Sequence, residues 1–244
     1  TQNHLEKTKA ALVDANESGR LREQFIAVLG HDLRTPLSAI RMSADLLETK
    51  TTDKRSLSLI SAIRTSSTRM GNLIENVLDF ARGRMGSGIP IKRQLVDDLG
   101  NTLRLTLNEV QISHPRATFI ELVDIPAGVY CDPLRISQLL SNLLGNAVTH
   151  GSLASPITVK ADTEVDEIVI SVTNQGPPIP PHLSPLLFEP FTRSEAGQRG
   201  EGLGLGLYIA SQITTAHGGN LSVVSTLESG TCFVARFPAR LKCA

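Results

Sequence analysis

His31 opens the segment HDLRTPLSAI, with Asp32 beside it and Thr35 and Pro36 completing the cluster. A neutral imidazole is a good nucleophile near pH 7, and a carboxylate that accepts its second ring N–H fixes the tautomer and raises its basicity. The pair therefore suits attack on phosphorus. Taken alone, His-Asp on a helix is more often a buried structural histidine than a functional one. Pro36 lies inside an otherwise helical run, where it removes a backbone donor and crowds the preceding turn, so a kink is expected just after the histidine.

A second set of residues suits nucleotide phosphates. In RISQLLSNLLGNAVTHG, at 135–151, Asn142 and Asn146 are four residues apart and share a helix face, followed by Thr149 and His150. Their side-chain carbonyls can hold Mg²⁺ and meet phosphate oxygens, because Mg²⁺ prefers hard oxygen ligands and keeps part of its water shell. VTNQGPPIP, at 172–180, reads as a strand entering a stiff turn, where Gly176 lets a flat ring approach closely. In GEGLGLGLYIA, at 200–210, Gly200, Gly202, Gly204 and Gly206 run into an apolar helical pattern. Backbone N–H groups and the positive end of that helix can cradle phosphates. No Gly-Lys-Ser/Thr follows, so this is not a Walker A loop, and a flexible glycine hinge is the alternative.

These residues need elements to carry them. Apolar residues return every seventh position at Leu5, Leu12, Ile26, Leu33, Ile40 and Leu47, with Gly19 breaking the series. After the polar stretch 48–55, a second seam runs through Ile60, Ile63, Met70, Ile74, Val77 and Ala81, with Ser67 as its polar exception. Two such helices form an antiparallel hairpin with an apolar face left in water, which dimerisation into a four-helix bundle would cover. Packing of the hairpin on the rest of the chain is the alternative. GRMGSGIP, at 83–90, ends the heptads and marks a domain boundary. Beyond it, helical patterns at 95–112 and 132–149 precede or alternate with strand-like runs at 156–161, 166–174, 220–226 and 231–238. That arrangement predicts an α+β domain with a largely antiparallel sheet.

Composition narrows the field. With 24 basic and 24 acidic side chains, no global field favours nucleic acid or an anionic membrane. Cys131, Cys232 and Cys243 form no CxxC pair, which disfavours zinc and disulfide scaffolds and fits a reducing compartment. No apolar run approaches the roughly 18 to 20 residues that cross a bilayer, and no signal peptide is evident. The expectation is a soluble cytoplasmic piece, opening at Thr1 within a helical pattern, whose sensing portion lies upstream.

In this order the segments resemble the sensor histidine kinases of two-component signalling, from about Leu21 to Pro238. HDLRTP looks like their H box, NLLGNAVTHG their N box, VTNQGPPIP a variant G1 box, LFEPFTR at 187–193 their F box and GEGLGLGL their G2 box. The resemblance implies a signal-transmitting coiled-coil helix at 1–20, a dimerisation and phosphotransfer domain at 21–85, and an ATP-binding two-layer α+β sandwich at 90–240. It implies an autokinase that uses ATP and Mg²⁺, phosphorylates His31 and passes the phosphoryl group to an aspartate of a response regulator receiver domain. Asp32 would be the base, and Thr35 would align water for dephosphorylation. Asn146 and Asn142 would hold Mg²⁺, and His150 would stack on adenine. Thr149 stands where a lysine is common, and Asn174 replaces the aspartate that accepts from the adenine amino group, with Pro178 in place of a glycine. Gly176 would border the base; Arg193, Gly202, Gly204 and Gly206 would surround the phosphates, with 192–202 as a lid. Two rivals remain open: a degenerate kinase that only docks a response regulator, and a gyrase-like ATPase that does not phosphorylate itself.

Overall fold

The computed structural model describes residues 30–84, 88–164, 166–192 and 203–239. The chain divides into two compact units, Thr1–Ser87 and Gly88–Ala244.

In the first unit, α1 is helical from 30 to 50 and continues through Pro36, and α2 spans Lys54–Arg84. Only 51–53 separate them, so the connection is shorter than the polar stretch 48–55 suggests. The reason is capping. The Asp53 carboxylate accepts the Ser56 backbone N–H at 2.9 Å and the Ser56 hydroxyl at 2.7 Å, which starts α2 at once. The two helices run antiparallel: Gly30 meets Leu78, Gly71 meets Leu37, and Arg64 bonds Glu48 at 2.7 Å.

The apolar positions form two stripes. Ala44 and Gly30 are buried on α1, with Ile60, Ser67 and Leu78 on α2, so small residues bring the backbones close. Leu33, Ile40 and Leu47 are exposed, as are Ile63, Met70 and Val77. The seven-residue series on α1 therefore lies outside this hairpin. Ser67, an apparent flaw in the second seam, is buried inside it.

The second unit is a five-stranded sheet in the order β2-β4-β5-β7-β6, with a separate pair β1-β3. The strands are β1 Gln94–Val96, β2 Phe119–Val123, β3 Val129–Cys131, β4 Ile157–Glu164, β5 Glu167–Asn174, β6 Asn220–Thr226 and β7 Gly230–Pro238. Only the β2–β4 pairing is parallel within the large sheet. The helices are α3 Leu99–Ser113, α4 Pro133–His150 and α5 Gly206–Ala216. Ile136, Leu139, Leu140, Leu143, Leu144 and Ala147 give α4 one continuous buried stripe. Alternate residues of β5 and β7, among them Ile168, Ile170, Val172, Phe233, Ala235 and Phe237, are buried with it. Each fully buried large side chain contributes about 1.5–3 kcal/mol.

Asp132 starts α4 by accepting the Arg135 N–H at 3.2 Å and also takes the Lys92 N–H at 2.7 Å. His217, at the far end of α5, is 2% exposed. Its Nδ1 donates to the Ile213 carbonyl at 2.8 Å and its Nε2 accepts the Asp132 N–H at 3.2 Å, an assignment that requires the neutral ring. Burial lowers its pKa and lifts the neighbouring Cys131 thiol to about 11.

Candidate active site

His31 is an exposed residue of α1, with its side chain 79% accessible, and this excludes the buried-histidine alternative. Its Nδ1 lies 3.3 Å from Asp32 Oδ1. A carboxylate at neutral pH only accepts, so this contact places the ring proton on Nδ1 and the lone pair on Nε2. Thr35 sits one turn on, and its hydroxyl donates to the His31 carbonyl at 3.0 Å.

In the second unit, strand alternation delivers the key acceptor. Asn174 continues the face of Ile168, Ile170 and Val172 to the end of β5, and it is buried there. Its Nδ2 donates weakly to the Gln175 carbonyl at 3.4 Å, while its Oδ1 is buried with no hydrogen-bond partner among the described residues. An orphaned acceptor of this kind costs about 1–3 kcal/mol. A ligand that supplies a donor removes that cost.

Close packing shapes the space around Asn174. A Cβ at Gly151 would strike the Ala147 carbonyl and lie 3.2 Å from Asn174 Cβ; one at Gly176 would lie 2.9 Å from the His150 carbonyl. Gly230, with φ +74°, lies against the Asn174 carbonyl, where any side chain would collide. The turn after β5 is fastened by Ser152 N–H to Gln175 O at 2.6 Å and by Ile179 N–H to Ser225 Oγ at 2.9 Å. His150 keeps an exposed edge, and desolvation holds its pKa below the ordinary value. The ring is therefore held neutral near pH 7.

Asn142, Asn146 and His150 follow one another at four-residue steps, so the stripe extends about 12 Å along α4. At its far end, Asn142 Oδ1 lies 3.5 Å from where a Gly206 Cβ would be. Gly206 begins α5, whose N-cap Leu205 makes no side-chain capping bond, and the positive end of the helix faces this side. Asn142 Nδ2 is also buried without a partner among the described residues. Thr149 is exposed, with its hydroxyl on the Gly145 carbonyl at 2.8 Å. Gly204, at φ +69°, packs on Phe191 and Thr192, and its carbonyl accepts the Phe191 N–H at 3.0 Å. Arg193 and Gly202 lie outside the described residues.

The site thus joins an orphaned buried acceptor, a stripe of amides and a helix start with no side-chain cap. Residues 21–86 match the His Kinase A (phospho-acceptor) domain, and residues 131–241 match the histidine kinase-, DNA gyrase B- and HSP90-like ATPase family. The chain is a sensor histidine kinase catalytic core. It is 35% identical over 238 residues to a bacteriophytochrome of Pseudomonas aeruginosa, covering 97% of this chain and 32% of that protein. It is 30% identical to the signal transduction histidine-protein kinase AfsQ2 of Streptomyces coelicolor, covering 96% of this chain and 44% of that one. The structure of full-length ShkA in complex with AMPPNP superposes with a TM-score of 0.67 at 30% identity, over 91% of this chain and 47% of that one. The histidine kinase core therefore spans less than half the length of these relatives.

Sequence alone gives no role to four residues of the kinase's nucleotide unit: Gly151 and Gln175, which lie inside the quoted motifs, and Ser225 and Gly230, which do not. Gly151 closes the NLLGNAVTHG segment, and Ser229-Gly230 is a turn dipeptide, so two of them carried a signal. Gln175 and Ser225 act through contacts distant in sequence, which no local pattern encodes.

Proposed function

We propose that this core transfers the γ-phosphoryl group of ATP to His31 and then to an aspartate of a response regulator receiver domain. The observation that carries this reading is the exposed His31 ring with its Nδ1 beside Asp32 Oδ1, a contact that favours the tautomer with its lone pair on Nε2. Nε2 attacks the γ-phosphorus in line; the Nε2–P bond forms, the bond to the β,γ-bridging oxygen breaks, and ADP leaves. The Nδ1 proton is stabilised by Asp32 as positive charge develops on the ring. Transfer onward exchanges the N–P bond for an acyl phosphate and restores neutral imidazole.

Asn174 Oδ1 accepts from the adenine amino group, Gly176 and His150 border the base, and the first turn of α5 receives phosphate oxygens. Two orphaned buried amide atoms, on Asn142 and Asn174, fit a bound polar ligand. Mg²⁺ would be held by the Asn146 and Asn142 carbonyls together with phosphate oxygens, and it would offset charge on the transferring group. Arg193 and Gly202 are assigned to the phosphates and the lid on resemblance alone. Thr35 orients a hydrolytic water, its oxygen keeping lone pairs while its hydrogen is on the His31 carbonyl.

The exposed stripes Leu33/Ile40/Leu47 and Ile63/Met70/Val77 favour a homodimer through the hairpin. No described helix is long and apolar enough to cross a membrane, and a cytoplasmic setting suits both the ATP supply and a receiver partner. Incubation with γ-labelled ATP and Mg²⁺ is expected to label the wild type and spare His31→Gln. Equal labelling of both removes His31 from its role, and labelling of neither leaves no autokinase.

A further inference from the structure

Three cross-helix contacts pin α1 to α2 around His31. Immediately before it, a Cβ on Gly30 would lie 2.6 Å from Leu78 Cδ1, so the backbone itself rests on Leu78. One turn later the Arg34 guanidinium forks onto the Glu75 carboxylate, through Nε to Oε1 and through Nη2 to Oε2 at 2.9 Å. One turn beyond that, Gly71 is placed for contact with Leu37. His31 lies on the exposed side of α1 between the first two anchors.

The same turn is short of backbone support. Pro36 has no N–H to give the Asp32 carbonyl four residues back, and the Thr35 hydroxyl goes to the His31 carbonyl. A helix missing one rung twists more easily there. The Arg34–Glu75 fork spans that weakened turn and reaches across 41 residues of sequence to the other helix. A bidentate guanidinium–carboxylate pair fixes direction as well as distance, which a single ammonium does not.

We propose that Arg34 and Glu75 form a positioning pair for phosphoryl transfer, holding the Pro36-weakened turn of α1 at the rotation that presents His31 outward. The inference rests on the kinase reading. It asks that Arg34 act through the helix rather than on the phosphoryl group, and Glu75 already engages two of its three guanidinium nitrogens. Misplacing a reacting atom by about 1 Å costs on the order of 100-fold in rate.

The test is the initial rate of His31 labelling by γ-labelled ATP in the full chain, at varied ATP, with sedimentation and melting temperature measured on every variant. Arg34→Ala and Glu75→Gln are expected to lower kcat by at least about 10-fold while KM for ATP stays within about 2-fold. The exchanged pair Arg34→Glu with Glu75→Arg recovers most of that loss. In a Pro36→Ala background, where the backbone rung is restored, the same substitutions cost much less. Arg34→Lys, which keeps the charge but not the fork, loses rate without losing stability, and it decides the matter if the alanine variant unfolds. Wild-type kcat in the single variants overturns the proposal. So does a loss that the exchanged pair fails to recover and Pro36→Ala fails to soften. Absence of labelling in the wild type is a different result, because it removes the kinase reading itself.

Discussion

Gly151→Ala should damage the nucleotide unit, whereas Gly145→Ala, six residues earlier in α4, should strengthen it. Gly151 has φ −75° and ψ 165°, a conformation open to any residue, so its requirement is space alone. An added methyl group would strike the Ala147 carbonyl, which already accepts the Gly151 N–H at 2.8 Å, and would press on Asn174 Cβ at 3.2 Å. Relief means giving up that capping bond, at about 1 kcal/mol, and shifting backbone in a packed region, at about 1–3 kcal/mol. The sum of about 2–4 kcal/mol lowers the melting temperature by roughly 4–16 °C for a unit of this size. Because Asn174 moves with it, ATP affinity should fall by at least about 10-fold, or 1.4 kcal/mol. At Gly145 a Cβ would meet nothing within 4 Å. Alanine there gains about 1 kcal/mol of helix propensity and raises the transition by about 2–4 °C. Scanning calorimetry and isothermal titration with ATP·Mg²⁺ check both. If Gly151→Ala melts and binds like the wild type, the tight contact between α4 and β5 is not what shapes the pocket.

Asn174→Leu removes an orphaned acceptor, so the nucleotide-free protein should melt about 2–12 °C higher while titration with ATP shows binding weakened by at least about 10-fold. His217 supplies a pH dependence. Its folded pKa lies below the ordinary 6.5, so the unfolded state binds the proton first as pH falls through 6.5. Stability is full above that value and declines by at most about 1.4 kcal/mol per pH unit until the folded pKa is reached. Arg93 and the Asp132 carboxylate both act on the ring. Urea melts of wild type and His217→Gln between pH 7.5 and 5 should show the extra acid sensitivity in the wild type only. Breaking the hairpin's exposed stripe with Ile40→Glu and Ile63→Glu should turn a dimer into a monomer by sedimentation at micromolar concentration, since each charge is placed where apolar surface must be covered.

Long amphipathic elements were legible because their periodicity is strong. The helical hairpin, the helical patterns at α3 and α4 and the four main strands of the sheet follow from spacing alone. The stripes of the hairpin were harder. Heptads announce a seam at Leu33, Ile40 and Leu47, yet the inner contact is made by Leu37 together with Gly30 and Ala44, and the small size of the last two hides that face from a search for hydrophobes. The three-residue strands Gln94–Val96 and Val129–Cys131 are too short to show alternation. Asn174 could be singled out by its motif, but the orphaned state of its Oδ1 comes from burial, which depends on α4 and the β6–β7 hairpin packing around it. Arg34 lies inside HDLRTP, and nothing near it in sequence points to Glu75.

In the proposed reaction the imidazole of His31 takes the terminal phosphate of ATP. After incubation with ATP·Mg²⁺, peptide mapping by mass spectrometry under alkaline conditions should place an acid-labile phosphate on His31. A phosphate found instead on His114, His182 or a hydroxyl side chain, with His31 unmodified, contradicts it.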